Sequence, residues 1–136
     1  MIESKHTLEF WPSYAQFVLY DVKTPYDPDQ IPLFNADDEM GAAISVRRLE
    51  VSIALLLDTT VRLELRLDQN EPAQLEGDWE VNVTALLEVP SGAFGVRDVI
   101  ADQPEVMLEV PAGKLNLHVY GRSDPEQFFV VQVWPA

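Results

Sequence analysis

Val61-Arg62-Leu63-Glu64-Leu65-Arg66-Leu67-Asp68 is the stretch that decides the fold. Val61, Leu63, Leu65 and Leu67 recur at every second position and share one face. Arg62, Glu64, Arg66 and Asp68 share the other. A helix would place its apolar residues three or four apart. Strict alternation with one wet face predicts a strand in an antiparallel sheet.

The same period extends outward in both directions. Trp79 to Glu88 alternates, with Trp79, Val81, Val83, Ala85 and Leu87 expected to point inward. Glu105 to Val110, Lys114 to Tyr120 and Gln127 to Trp134 continue the series. Upstream lie Tyr14 to Asp21, Ala43 to Val46 and the apolar Leu49 to Leu57. Turn residues separate the runs: Asp68-Gln69-Asn70-Glu71-Pro72, Val89-Pro90-Ser91-Gly92, Val110-Pro111-Ala112-Gly113 and Gly121-Arg122-Ser123-Asp124-Pro125. Two of these turns use the same chemistry, proline fixing φ and glycine supplying φ above zero, with a further strand after each. The segment Asp27 to Met40 breaks the pattern and reads as a helical turn or an ordered loop.

Short strands about ten residues apart predict an all-β fold, an antiparallel β-sandwich of about eight or nine strands. The chain has 136 residues, so residues 1–136 are expected to form one domain. Phe17, Leu19, Ile53, Leu55, Leu63, Leu65, Val81, Val83, Leu108, Leu115, Leu117, Val131 and Val133 are the expected core.

The sequence carries 23 acids against nine bases, a formal charge of −14. Such a field repels nucleic acid and anionic lipid and attracts basic proteins. There is no cysteine, which excludes thiolate metal sites, disulfides and cysteine nucleophiles. The apolar run Ile53 to Leu57 is too short to span a bilayer, and Met1 to His6 does not open a secretory signal. Cytoplasmic residence is the expectation.

No catalytic constellation stands out. His6 sits at the N-terminus, where fraying is expected, and His118 on the outward phase of its strand; both read as surface histidines. Asp27-Pro28-Asp29 with Asp37-Asp38-Glu39 lacks the glycine and ligand spacing of a calcium loop, so no metal is assigned. No glycine-rich phosphate loop is present and no cofactor is implied. Trp79 and Trp134 have strand phases that suit a core; Trp11, before Pro12, is the tryptophan available for a ligand.

Charge geography is more informative. Asp21 to Glu39 holds six acids and one base, and Glu64 to Glu88 holds seven acids and one base. Tyr14, Tyr20, Tyr26 and Phe34 flank the first stretch. Aromatic anchors inside an acidic rim suit the capture of a basic protein. The expected contact residues are Tyr26, Asp27, Asp29, Phe34, Asp37, Asp38 and Glu39.

Ser13-Tyr14-x-Gln16-Phe17-x-Leu19-x-Asp21 resembles the opening signature of the competence protein J family. Gly41-Ala42-Ala43-Ile44-Ser45-Val46, Val89-Pro90-Ser91-Gly92 with Val96 behind it, and Pro111-Ala112-Gly113 fit the same layout. The likeness runs from about Leu8 to Val133. Family members carry a tryptophan in the acidic loop, where this chain has Asp29-Gln30-Ile31-Pro32. The resemblance implies a small bacterial inhibitor of a nuclease that acts as DNA enters the cell. Composition alone implies only a basic protein partner. Two other functions are weighed beside it: a carbohydrate- or small-ligand-binding module using Trp11, and an enzyme using carboxylates or a bound metal.

Overall fold

Alternation yields ten strands among the described residues, which are 4–24 and 44–136 of the computed structural model. They are β1 (Ser4–Phe10), β2 (Gln16–Asp21), β3 (Ile44–Arg47), β4 (Glu50–Ala54) and β5 (Val61–Leu67). After these come β6 (Val81–Val89), β7 (Ala93–Asp98), β8 (Val106–Glu109), β9 (Gly113–Arg122) and β10 (Phe128–Pro135). Five form one sheet in the order β1-β5-β10-β9-β6, and five form the other in the order β3-β4-β2-β7-β8. The expected antiparallel sandwich is the fold the chain adopts. The strand not foreseen is β1, where only Leu8 and Phe10 carry the alternation; His6, expected at a frayed terminus, lies in this strand opposite Leu65. The β5–β10 pair is parallel, with Leu65 opposite Val131.

The core lies between the sheets. Every expected core residue is buried except Leu55 and Val83, which are partly buried against it. Phe17 of one sheet meets Phe129 of the other edge to face, ring centres 5.8 Å apart and planes at 86°. Such a contact adds about 0.5–1.5 kcal/mol beyond the area it buries. Gly121 stands opposite Phe129 on the neighbouring strand and leaves room for its ring: a Cβ there would sit 2.5 Å from Cε2.

A second layer covers the outer face of the β1-β5-β10-β9-β6 sheet. The connection 68–80 runs back over that face as a strap. Gln132 Nε2 donates to the Ala73 carbonyl at 3.1 Å, and the Leu75 N–H donates to the Tyr120 hydroxyl at 3.1 Å. This corrects three expectations. His118 does point outward, but it is only 8% exposed, stacked on Tyr120 with ring centres 4.2 Å apart. Trp79 is half-buried on the outer face, against Tyr120 and Phe128 and under Arg122. Trp134 is buried, but it shares the outward phase of Gln132 and lies outside the cluster between the sheets.

The connections gather at two ends of the sandwich. Segments 11–15, 55–60, 99–105 and 123–127 meet at one end. The β3–β4, β6–β7 and β8–β9 turns meet at the other, beside Asp21. No helix among the described residues is long and apolar enough to cross a membrane.

Candidate partner-binding face

The first acidic stretch begins at Asp21, the last residue of β2, and that residue is held firmly in place. Asp21 closes β2 opposite Phe94. Its carboxylate accepts from the Lys23 N–H at 2.8 Å, the Ser91 N–H at 3.0 Å and the Ser91 hydroxyl at 2.6 Å. Burial pushes the Asp21 pKa up, but the bonds from Ser91 and Lys23 outweigh it and hold the group below its ordinary value. Val22 N–H and Thr24 N–H bond to the Ala93 and Asp21 carbonyls. Ser91 sits in the β6–β7 turn beside Gly92, whose φ of +74° is the left-handed conformation that glycine adopts without strain.

The chain resumes at Ile44, which pairs with Ile53, itself paired with Phe17. Asp21 and Phe17 lie at opposite ends of β2, so the two attachment points of segment 25–43 lie at opposite ends of one sheet. The expected contact residues Tyr26, Asp27, Asp29, Phe34, Asp37, Asp38 and Glu39 lie outside the described residues, as do all members of the weighed metal cluster. Of the flanking aromatics, Tyr14 is 74% exposed, whereas Tyr20 is 6% exposed and packs with Val18 and Val99. Tyr20 is therefore a structural residue and not a surface anchor. Burial raises its pKa; Arg97 opposes that and Asp102 adds to it.

The second acidic stretch is largely the strap. Glu71, Glu76, Asp78 and Glu80 are exposed on it. Trp79 Nε1 donates to the Glu76 carbonyl at 3.2 Å, and Glu80 accepts from the Ser123 N–H and hydroxyl at 2.8 and 2.6 Å. Those two bonds hold the Glu80 pKa below its ordinary value. The basic residues are occupied elsewhere. Among the described residues, Lys5, Arg47, Arg48, Arg62, Arg66 and Arg97 pair with Glu64, Glu50, Glu88 and Glu126. None of these pairs includes a carboxylate of segment 69–80. Among the described residues, the strap's carboxylates thus form no ion pair, and the basic group beside it is Arg122, over the Trp79 ring.

At the far end, Trp11 is 65% exposed, with its indole N–H donating to Asp58 at 3.0 Å. Tyr14 and Ala15 take φ of 56° and 51°, a left-handed conformation costing about 1–2 kcal/mol per residue. Ser13 holds that turn through two 3.0 Å bonds to Asp98. Among the described residues, no group of three or more His, Cys, Asp or Glu side chains is placed to hold a metal. Sequence reasoning missed the strap anchors Tyr120, Gln132 and His118. Their one signal was bulk on an outward phase where alternation predicts small or charged residues.

No family model and no curated protein matches the sequence. Solved structures do. The chain is similar over 100% of its length, and 99% of the other's, to the crystal structure of ComJ, inhibitor of the DNA degrading activity of NucA, from Bacillus subtilis. The TM-score is 0.76 and the identity 16%. It is also similar to the protein of crocagin biosynthetic gene J, with TM-score 0.65, 14% identity and coverage of 97% and 98%. The resemblance carried by Ser13 to Asp21 therefore holds as a distant one, at the level of a shared fold spanning the whole chain.

Proposed function

We propose that the protein is a small acidic inhibitor that binds a basic nuclease. The observation that carries this reading is the end-to-end likeness in fold to a nuclease inhibitor, found in a chain of net charge −14. A nuclease groove is shaped to hold phosphate charge, so a rigid body presenting carboxylates is suited to occupy it. Tyr26, Asp27, Asp29, Phe34, Asp37, Asp38 and Glu39 supply the contact in this reading, without catalysis or cofactor. The doubly bonded Asp21 supports it, because it fixes the end of β2, the strand that precedes that segment in sequence. Action in the cytoplasm goes with the same reading.

The test is inhibition of a basic competence-type nuclease by the purified protein across a salt series. Inhibition at low salt that weakens steeply as salt rises is the expected result, because exposed charge pairs are screened. Salt-insensitive binding, or none, overturns the reading.

A second reading has one observation in its favour. Exposed Trp11, steadied by Asp58, offers a ring for sugar stacking. Tryptophan fluorescence titrated against a panel of sugars checks it, and a flat response retires it.

A further inference from the structure

A cleft of about 630 Å³ opens at the end of the sandwich that carries the β8–β9 turn. Ser4 of β1, Asp68 and Gln69 after β5, Pro135 of β10, Glu109 at the end of β8, and Val110 and Pro111 after it line the cleft. Asp68 is only 6% exposed, and its Oδ2 has no hydrogen-bond partner among the described residues. An acceptor buried without a donor costs free energy, so a donor bound at this cleft would relieve that cost.

We propose that this cleft receives an arginine side chain from a partner protein. Two carboxyl groups, Asp68 within and Glu109 at the exposed rim, give it negative charge from both sheets. Two carboxylates are too few for a protein cage around a hard cation, which takes six or more oxygens. A guanidinium fits better. It is weakly hydrated, planar, and presents donors in a fork that matches a carboxylate. Val110, Pro111 and Pro135 supply apolar wall for its methylene stem. Ser4 and Gln69 offer further acceptors. The site's lining residues are other than the expected contact residues 27–39, and it rests on the proposed function only for the existence of a basic partner.

The test uses N-acetyl-arginine amide, with N-acetyl-citrulline amide as its uncharged isostere, titrated into the labelled protein by ¹H–¹⁵N NMR. Saturable shifts at the Gln69 and Val110 amides are expected, with a dissociation constant on the order of millimolar. Citrulline should bind at least about tenfold more weakly, and Asp68→Asn should weaken arginine binding by about the same factor. Glu109→Arg changes an exposed residue and should abolish binding by seating its own guanidinium, which keeps the test decisive if Asp68→Asn fails to fold. Equal shifts with citrulline, shifts elsewhere only, or shifts unchanged in Glu109→Arg overturn the proposal. Nuclease inhibition is not measured here, so failure of this site and failure of the inhibitor reading are told apart.

Discussion

Asp21 and Ser91, 70 residues apart in sequence, are bonded twice: the Ser91 N–H and hydroxyl each donate to a different oxygen of the Asp21 carboxylate. The end of β2 is thereby tied to the turn between β6 and β7, at the point where the acidic segment begins. Asp21→Ala should cost about 1.5–3 kcal/mol, since it removes three hydrogen bonds to a charged carboxylate, and Ser91→Ala somewhat less. Urea denaturation checks both. The pH dependence has a definite sign. The folded pKa of Asp21 is lowered, so its contribution is full above the unfolded value of about 3.9 and is lost as pH falls through the lower folded value. Wild type and Asp21→Asn should therefore converge in stability in strong acid; a gap that persists there shows that the bond is not the cause.

His118 gives a second pH dependence in a different window. The Leu75 N–H donates to the Tyr120 hydroxyl, which donates to His118 Nδ1, while His118 Nε2 donates to Asn82 Oδ1. This chain is satisfied by a neutral ring. Burial lowers the His118 pKa, and Glu71 partly opposes it. The contribution is thus complete above the unfolded value of about 6.5 and falls as pH drops through the folded value below it. Histidine NMR titration should find the depressed pKa, and Glu71→Gln should depress it further. A His118 that titrates at or above its ordinary value excludes the buried arrangement.

Gly121→Ala should destabilise by about 1–3 kcal/mol through overpacking. The new methyl group would meet three atoms of the Phe129 ring, at 2.5, 2.8 and 2.9 Å, and that ring is fully buried. Thermal unfolding checks this. Pairing the change with Phe129→Leu should recover part of the loss, which a purely conformational glycine effect would not allow.

Neutralising Asp37, Asp38 and Glu39 together should weaken nuclease inhibition chiefly through slower association, because long-range attraction acts on the encounter. Stability should change by no more than about 0.5 kcal/mol. Stopped-flow binding at two salt concentrations separates the two effects. An unchanged association rate would move the contact away from this segment.

Legibility followed the physics of each region. Leu63, Leu65, Leu117 and Val131 were readable because burial between two sheets imposes alternation directly on the sequence. His118 reads as a surface residue because the alternation rule treats the second face as wet, and Trp79 reads as inward because it continues the phase of Val81, whereas it belongs to the strap on the outer face. Only the return of residues 68–80 across that face buries them, and no local pattern announces it. Gln127 escaped notice for a similar reason. Its amide takes the Leu56 and Leu57 N–H groups and donates to the Leu57 carbonyl, 70 residues away, bonds set by tertiary placement alone. The expected contact residues rest on composition and charge, and they lie outside the described residues.

The strand latest in chain order, β10, lies between β5 and β9. A nascent chain that has emerged from the ribosome only as far as Gly121 holds both neighbours with open hydrogen-bonding edges and no strand to join them. Sheet closure must therefore wait for Phe128–Pro135, and the pairing with β5 spans a long stretch of chain, which slows folding. Throughout that interval Leu63, Leu65 and Leu117 are available to chaperones, or to another unfinished copy of the chain.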